Sequence, residues 1–168
     1  ILAQDSAVEV LRRAVKRGRA FHAYLFHGPA GVGKTTTAKA FARALMCKES
    51  GEGGEACGKC ISCRKFVSGN HPDFRQIGVE RSGGKWQISI DQIRQNPTKP
   101  RVTPPPLVQD VVYHPIESGW KVYLIEPADL LSEGAAGALL KVLEEPPEYV
   151  AIILVTERRG LVLPTLQS

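Results

Sequence analysis

The segment GPAGVGKT, Gly28 to Thr35, constrains this chain more than any other. It matches G-x-x-x-x-G-K-[ST] and lies between an apolar run, AYLFHG, and a stretch with helical spacing, GKTTTAKAFARALM. A glycine-rich loop so placed turns backbone amides toward phosphate oxygens, and the helix N-terminus adds its dipole. In this reading Gly28, Pro29, Ala30, Gly31, Val32 and Gly33 form the cradle, and Thr36 lies in the same turn. Lys34 neutralises the β- and γ-oxygens, and the Thr35 hydroxyl is a Mg2+ ligand. An ordinary turn would not need Lys and Thr in register, so binding of ATP with Mg2+ is the favoured reading.

The rest of the chain alternates strand-like and helix-like segments. DSAVEVLRRAVKRG places Val8, Leu11 and Val15 on one helical face, and GKTTTAKAFARALM does the same with Ala38, Ala42 and Leu45. DFRQIGV, KVYLIE and VAIILVT read as strands, the last as one covered on both faces. ISIDQIRQ reads as a short helix opening near Ser89, and SEGAAGALLKVLEE as a helix capped by Ser132 and stopped by Pro146. PTKPRVTPPP, residues 97–106, predicts an exposed extended loop, because its prolines lack amide donors. The alternation implies a three-layer α/β sandwich with a mainly parallel sheet.

At 168 residues, 43% hydrophobic and 23% charged, the chain has enough apolar surface for one core and is not a disordered tail. No apolar run approaches the 18 residues that would suggest a membrane span. The start, ILAQDSAVEV, has no signal-peptide pattern, so a cytoplasmic setting is expected. It also has no initiating Met, and the end, LVLPTLQS, carries no terminal signal; a fragment of a longer chain is expected. A net charge of +5 fits a nucleic-acid-associated protein, but the basic residues Arg12, Arg13, Lys16 and Arg17 also fit a solvated helix face.

Cys47, Cys57, Cys60 and Cys63 are all the cysteines present, spaced C-x9-C-x2-C-x2-C. Paired thiolates from tight turns complete a tetrahedral structural Zn2+ site, with Lys48, Lys59 and Arg64 near enough in sequence to offset its charge. Two disulfides fit poorly in a reducing cytosol, and an iron–sulfur cluster is the other competitor. A closed four-sulfur site staples a loop and has no open position for a substrate.

KVYLIEPADLL ends its strand at Glu126, positioned to hold Mg2+. The next residue, where a second carboxylate commonly helps activate water, is Pro127. Asp129 reads as a turn or capping residue before the Ser132 helix. Thr156, at the end of its strand, reads either as a γ-phosphate contact or as a hydroxyl that bonds backbone. Nucleotide binding is therefore expected to survive, and hydrolysis to be weak.

HAYLFHGPAGVGKTTTAKAFARAL, the four-cysteine loop, NHPDF, ISIDQIR, the run KVYLIEPADLLSEGAAGALLKVLEEPPEYVAIILVT and LPTLQS together resemble one family. It is the AAA+ ATPase-like domain of bacterial clamp-loader subunits, the delta prime and gamma/tau chains of DNA polymerase III. The resemblance covers nearly the whole chain. It implies an N-terminal AAA+ domain over 1–168, with a zinc module inserted at about 47–70. Glu126-Pro127 in place of an Asp-Glu pair, with NHPDF and ISIDQIR, looks more like delta prime. That resemblance implies a stator: a rigid ring subunit that contacts gamma/tau and delta, and through the assembly a sliding clamp and primed DNA, without needing to hydrolyse ATP. The family's arginine finger would follow Ser168. A gamma/tau-like ATPase motor is one alternative. Another is a stand-alone zinc-containing nucleic-acid binder that uses Lys48, Lys59, Arg64 and Lys65.

Overall fold

The computed structural model describes residues 5–162. The LPTLQS part of the resemblance, with Ser168, lies outside them. Four parallel strands form the central sheet: β1 (Ala23–His27), β2 (Phe74–Ile77), β5 (Lys121–Ile125) and β6 (Val150–Thr156), in the order β1-β6-β5-β2. Tyr123 pairs with Ile152 and Tyr24 with Ile153, so the four C-terminal ends share one edge of the sheet. Every residue of β5 and β6 is buried, as their continuous apolar runs require.

Strand alternation sorts these residues into two cores. Val122, Leu124, Ala151 and Ile153 face α1 (Asp5–Arg17) and α2 (Lys34–Met46), meeting Leu11, Val15, Ala38, Phe41, Ala42 and Leu45. Tyr123, Ile125, Ile152 and Leu154 face the opposite layer of α4 (Ile90–Ile93), α5 (Leu107–Asp110) and α6 (Glu133–Glu144). Ser132 caps α6, its Oγ accepting from Ala135 N at 3.1 Å, and Ser89 with Gln92 forms a capping box on α4. The fold is thus the expected three-layer sandwich with a parallel sheet.

Three elements depart from the sequence expectation. A helix, α3 (Ile61–Val67), follows the third cysteine where no periodicity is readable. A hairpin of β3 (Glu80–Ser82) and β4 (Lys85–Gln87) turns through Gly83 and Gly84, both at positive φ. The loop over 97–106 is exposed through Pro104 but dives inward at Pro106, which starts α5.

Candidate functional site: a phosphate loop and a four-cysteine knuckle on one helix

The helix α2 carries a site at each end. At its start Gly33 occupies the left-handed region, φ 87°, which a residue with a Cβ adopts only with strain. No side chain caps the helix there. The amides of Lys34, Thr35 and Thr36 therefore have no intrahelical acceptor and remain available to an anion. Lys34 Nζ donates to Pro29 O at 2.7 Å, folded over its own loop. Thr35 Oγ1 donates to Glu126 Oε1 at 2.6 Å, joining the loop to the end of β5 across 91 positions of sequence. A hydroxyl and a carboxylate oxygen brought together in this way are oxygen donors of the kind that could hold Mg2+.

Thr156 is buried at the end of β6, beside the loop that follows β1. Its hydroxyl donates to Asp129 Oδ1 at 2.6 Å and accepts from Arg158 N at 2.9 Å. Asp129 lies in a short 3-10 turn, so it is a turn residue as read, with a partner the sequence did not suggest. Pro127 has no group for proton transfer, and the Asp129 carboxylate is engaged by Thr156. A cleft of about 700 Å3 opens next to the loop. Ala7, Val8 and Leu11 of α1, Tyr24 and Phe26 of β1, and Val32 wall it.

The other end of α2 runs directly into Cys47. The sulfurs of Cys47, Cys57, Cys60 and Cys63 all lie within 4.8 Å of one another, and Cys47 and Cys60 are 3.9 Å apart. Zn–S bonds of about 2.3 Å place tetrahedral sulfurs about 3.8 Å apart, so the four-thiolate set fits a structural zinc ion. All four thiols are free, which sets the disulfide alternative aside. Backbone amides converge on the sulfurs: Glu49 N and Cys57 N on Cys47, Cys60 N on Cys57, and Cys63 N on Cys60. Burial pushes the Cys47 thiol up to about 12. For Cys60 burial pushes the same way, but the amides of Cys63 and Lys48 outweigh it and bring the thiol down to about 6. Amide donors of this kind favour the thiolate form that a metal ion takes as a ligand.

The sequence pointed to Lys48, Lys59 and Arg64 for charge compensation. The guanidinium of Arg43 also bears on the cluster, working against the rise that burial causes in the Cys63 thiol. Its position four residues before Cys47 on α2 was the signal for it.

The NHPDF segment fastens this knuckle to the sheet. Ser62 Oγ donates to Met46 O at 2.7 Å, so His71 Nε2, also 2.7 Å away, must be the donor to Ser62. Nδ1 of His71 then accepts from Asp73 N at 3.1 Å, which fixes a neutral tautomer. Burial accordingly lowers the His71 pKa. Asp73 accepts from the amides of Ile116, Glu117 and Ser118 at 2.6–2.8 Å. Burial pushes the Asp73 carboxyl up, but those amides outweigh it and hold the pKa below its ordinary value.

Comparison with known proteins places this architecture. The family model described as "DNA polymerase III, delta subunit" matches residues 3–168. DNA polymerase III subunit delta' of Pseudomonas aeruginosa is 37% identical over 152 residues, 90% of this chain and 42% of that protein. The tau subunit of Bacillus subtilis is 36% identical over 156 residues, 93% of this chain and 25% of its own length. The chain therefore spans less than half the length of these relatives. A DNA polymerase III gamma subunit-related protein of Thermotoga maritima shares the fold, with a TM-score of 0.54 at 20% identity, over 95% of this chain and 42% of that one. On the match across nearly its whole length and on relatives of 35% identity and above, the chain belongs to the DNA polymerase III delta-subunit family, among the clamp-loader subunits.

Proposed function

We propose that this chain is the N-terminal AAA+ domain of a delta prime clamp-loader subunit, which holds ATP and turns it over poorly or not at all. The observation that carries the reading is the contact between Thr35 and Glu126, 2.6 Å, next to a proline. The loop amides and Lys34 bind and orient the phosphates, and the apolar cleft beside α1 takes the base. Thr35 and Glu126 would hold Mg2+, which supplies charge neutralisation on the phosphates when bound. Pro127 cannot accept a proton from water, and Asp129 already holds Thr156, so the activation step lacks a free carboxylate. The work of the subunit is then assembly. It contacts gamma/tau and delta chains in a ring that opens a sliding clamp at primed DNA in the cytoplasm. No helix of the described residues is long and apolar enough to cross a membrane.

One observation favours a second reading, an ATPase motor like gamma/tau. The phosphate loop is complete, and tau relatives match as extensively as delta' ones. Calorimetric titration of MgATP into the full-length protein, with Lys34→Ala as control, tests the first reading. Saturable binding lost in the variant, without turnover in the assembled complex, supports a nucleotide-holding stator. Turnover assigned to this chain's own site replaces it with the motor, and no binding removes ATP from the function.

A further inference from the structure

The cysteine knuckle builds a wall as well as a staple. Between α2, α3 and β2 lies a groove of about 560 Å3, whose lining includes no residue of the phosphate loop. Lys39 and Arg43 of α2 form one side, and Phe66 and Val67 of α3 the other. Phe74 and Gln76 of β2 form its floor. The rings of Phe66 and Phe74 pack with centroids 4.6 Å apart, and Val67 is 69% exposed at the rim.

β2 is the last strand of the sheet on this side, among the described residues. Asp73 O accepts from Val122 N, and Ile77 O accepts from Glu126 N. The odd-numbered peptide groups therefore face β5, and those of Phe74 and Gln76 turn outward. His71 O takes the Phe74 N–H, but the Gln76 N–H and C=O and the Phe74 C=O have no partner among the described residues. An unpaired edge of this kind is a template for another strand.

The charge around the edge has one sign. Neither Lys39 nor Arg43 forms an ion pair among the described residues, and no carboxylate lines the groove. The Arg43 Nε is buried without a hydrogen-bond partner. A basic peptide would meet like charge here, whereas an acidic one would find the Lys39 ammonium without a carboxylate partner and the Arg43 guanidinium beside it. We propose that this groove docks an extended acidic segment of a partner protein, which adds to β2 as a further strand and sets alternate apolar side chains on Phe66 and Phe74. The knuckle, by holding α3 in place, supplies half of the docking site.

The test is selection of ten-residue random peptides on the zinc-loaded full-length protein. The expected winners alternate Asp or Glu with Val, Ile or Phe. Lys39→Glu weakens them about tenfold, and binding slows hydrogen exchange at the Gln76 amide. Gln76→Pro removes the outward donor at an edge position that tolerates proline, and it abolishes binding. Should that variant fold poorly, N-methylation of alternate residues of the winning peptide interrupts the same ladder from the other side. No enrichment, enrichment of basic or helix-patterned peptides, or binding that ignores both Lys39→Glu and the ladder block overturns the proposal.

Discussion

Replacing Asp110 with alanine tests how the proline-rich segment is fastened to the sheet. Asp110 ends α5, and its Oδ2 lies 3.1 Å from Lys121 Nζ. Lys121 begins β5 and is 5% exposed. The Tyr123 hydroxyl donates to the same carboxylate, and burial together with Asp110 raises the Tyr123 pKa so that it stays neutral. Arg75 Nη1 stands 3.8 Å away. In Asp110→Ala the Lys121 ammonium keeps only the carbonyl of residue 110, now 2.6 Å from it, and Tyr123 loses its acceptor. Stripping the partner from a buried charge costs about 3–5 kcal/mol, and the lost Tyr123 bond adds about 1 kcal/mol that overlaps with it. The expected loss is thus about 4 kcal/mol. Adding Lys121→Met removes the stranded charge and leaves an unbranched apolar chain, so the double variant should recover about 2 kcal/mol. Hydrogen exchange of the Lys121–Ile125 amides in the full-length protein reads the free energy of opening this sheet. A single variant that loses less than about 1 kcal/mol, or a double variant no better than the single, would refute the argument.

At the nucleotide end, Glu126→Gln keeps an acceptor for Thr35 but loses the charge; MgATP should bind at least tenfold more weakly, while ATP without Mg2+ binds as before. Equal losses with and without Mg2+ would take Glu126 away from the metal. Chelation should release one zinc per chain and speed amide exchange in α3 while leaving β5 and β6 protected; atomic absorption and exchange data check both. Zinc uptake at neutral pH should acidify a weakly buffered solution, since Cys47 must surrender a proton held up to about 12. Asp73→Asn should cost about 2–3 kcal/mol at pH 7 from weakened amide contacts. Because the folded Asp73 pKa is depressed, its stabilisation is present above the ordinary value of 3.8 and vanishes as pH falls through the folded value. Wild-type and variant stabilities should converge in that acid range, and a gap that stays constant would count against the amide cradle. His71 acts in the same direction from a higher starting point, its contribution being lost as pH falls below 6.5.

Much of this was readable because it is local. VAIILVT and KVYLIE are apolar throughout, so they had to be strands with both faces covered. The phosphate loop states its chemistry in eight consecutive residues, and the cysteine spacing states its own. The helix α3 was invisible because Ile61 and Val67 are exposed and the residues it buries are Ser62, bonded to His71, and Cys63, so it has no apolar stripe of its own. The β3–β4 turn did carry a signal, Gly83-Gly84, but its strands are only three residues long and mostly polar. α5 hid behind three consecutive prolines, of which the last is its N-terminal flank. The pairs Thr35–Glu126, Thr156–Asp129 and Lys121–Asp110 join residues 91, 27 and 11 positions apart, and no sequence period links them.

The two sites share a helix, and this gives the knuckle a mechanical meaning. A helix of 13 residues is about 20 Å long and behaves as one body, so whatever fixes its last turn also aims its first. Its first turn offers the free amides of the phosphate loop, and the residue after its last turn is one of the four cysteines that could hold a metal ion. Phe41, Ala42 and Leu45 hold its middle against the sheet, but packing alone permits small slides along ridges and grooves. Cys47 at the knuckle, with Ser62 bonded to Met46 O and on to His71, removes that freedom by tying the C-terminal end to the β2 side of the fold.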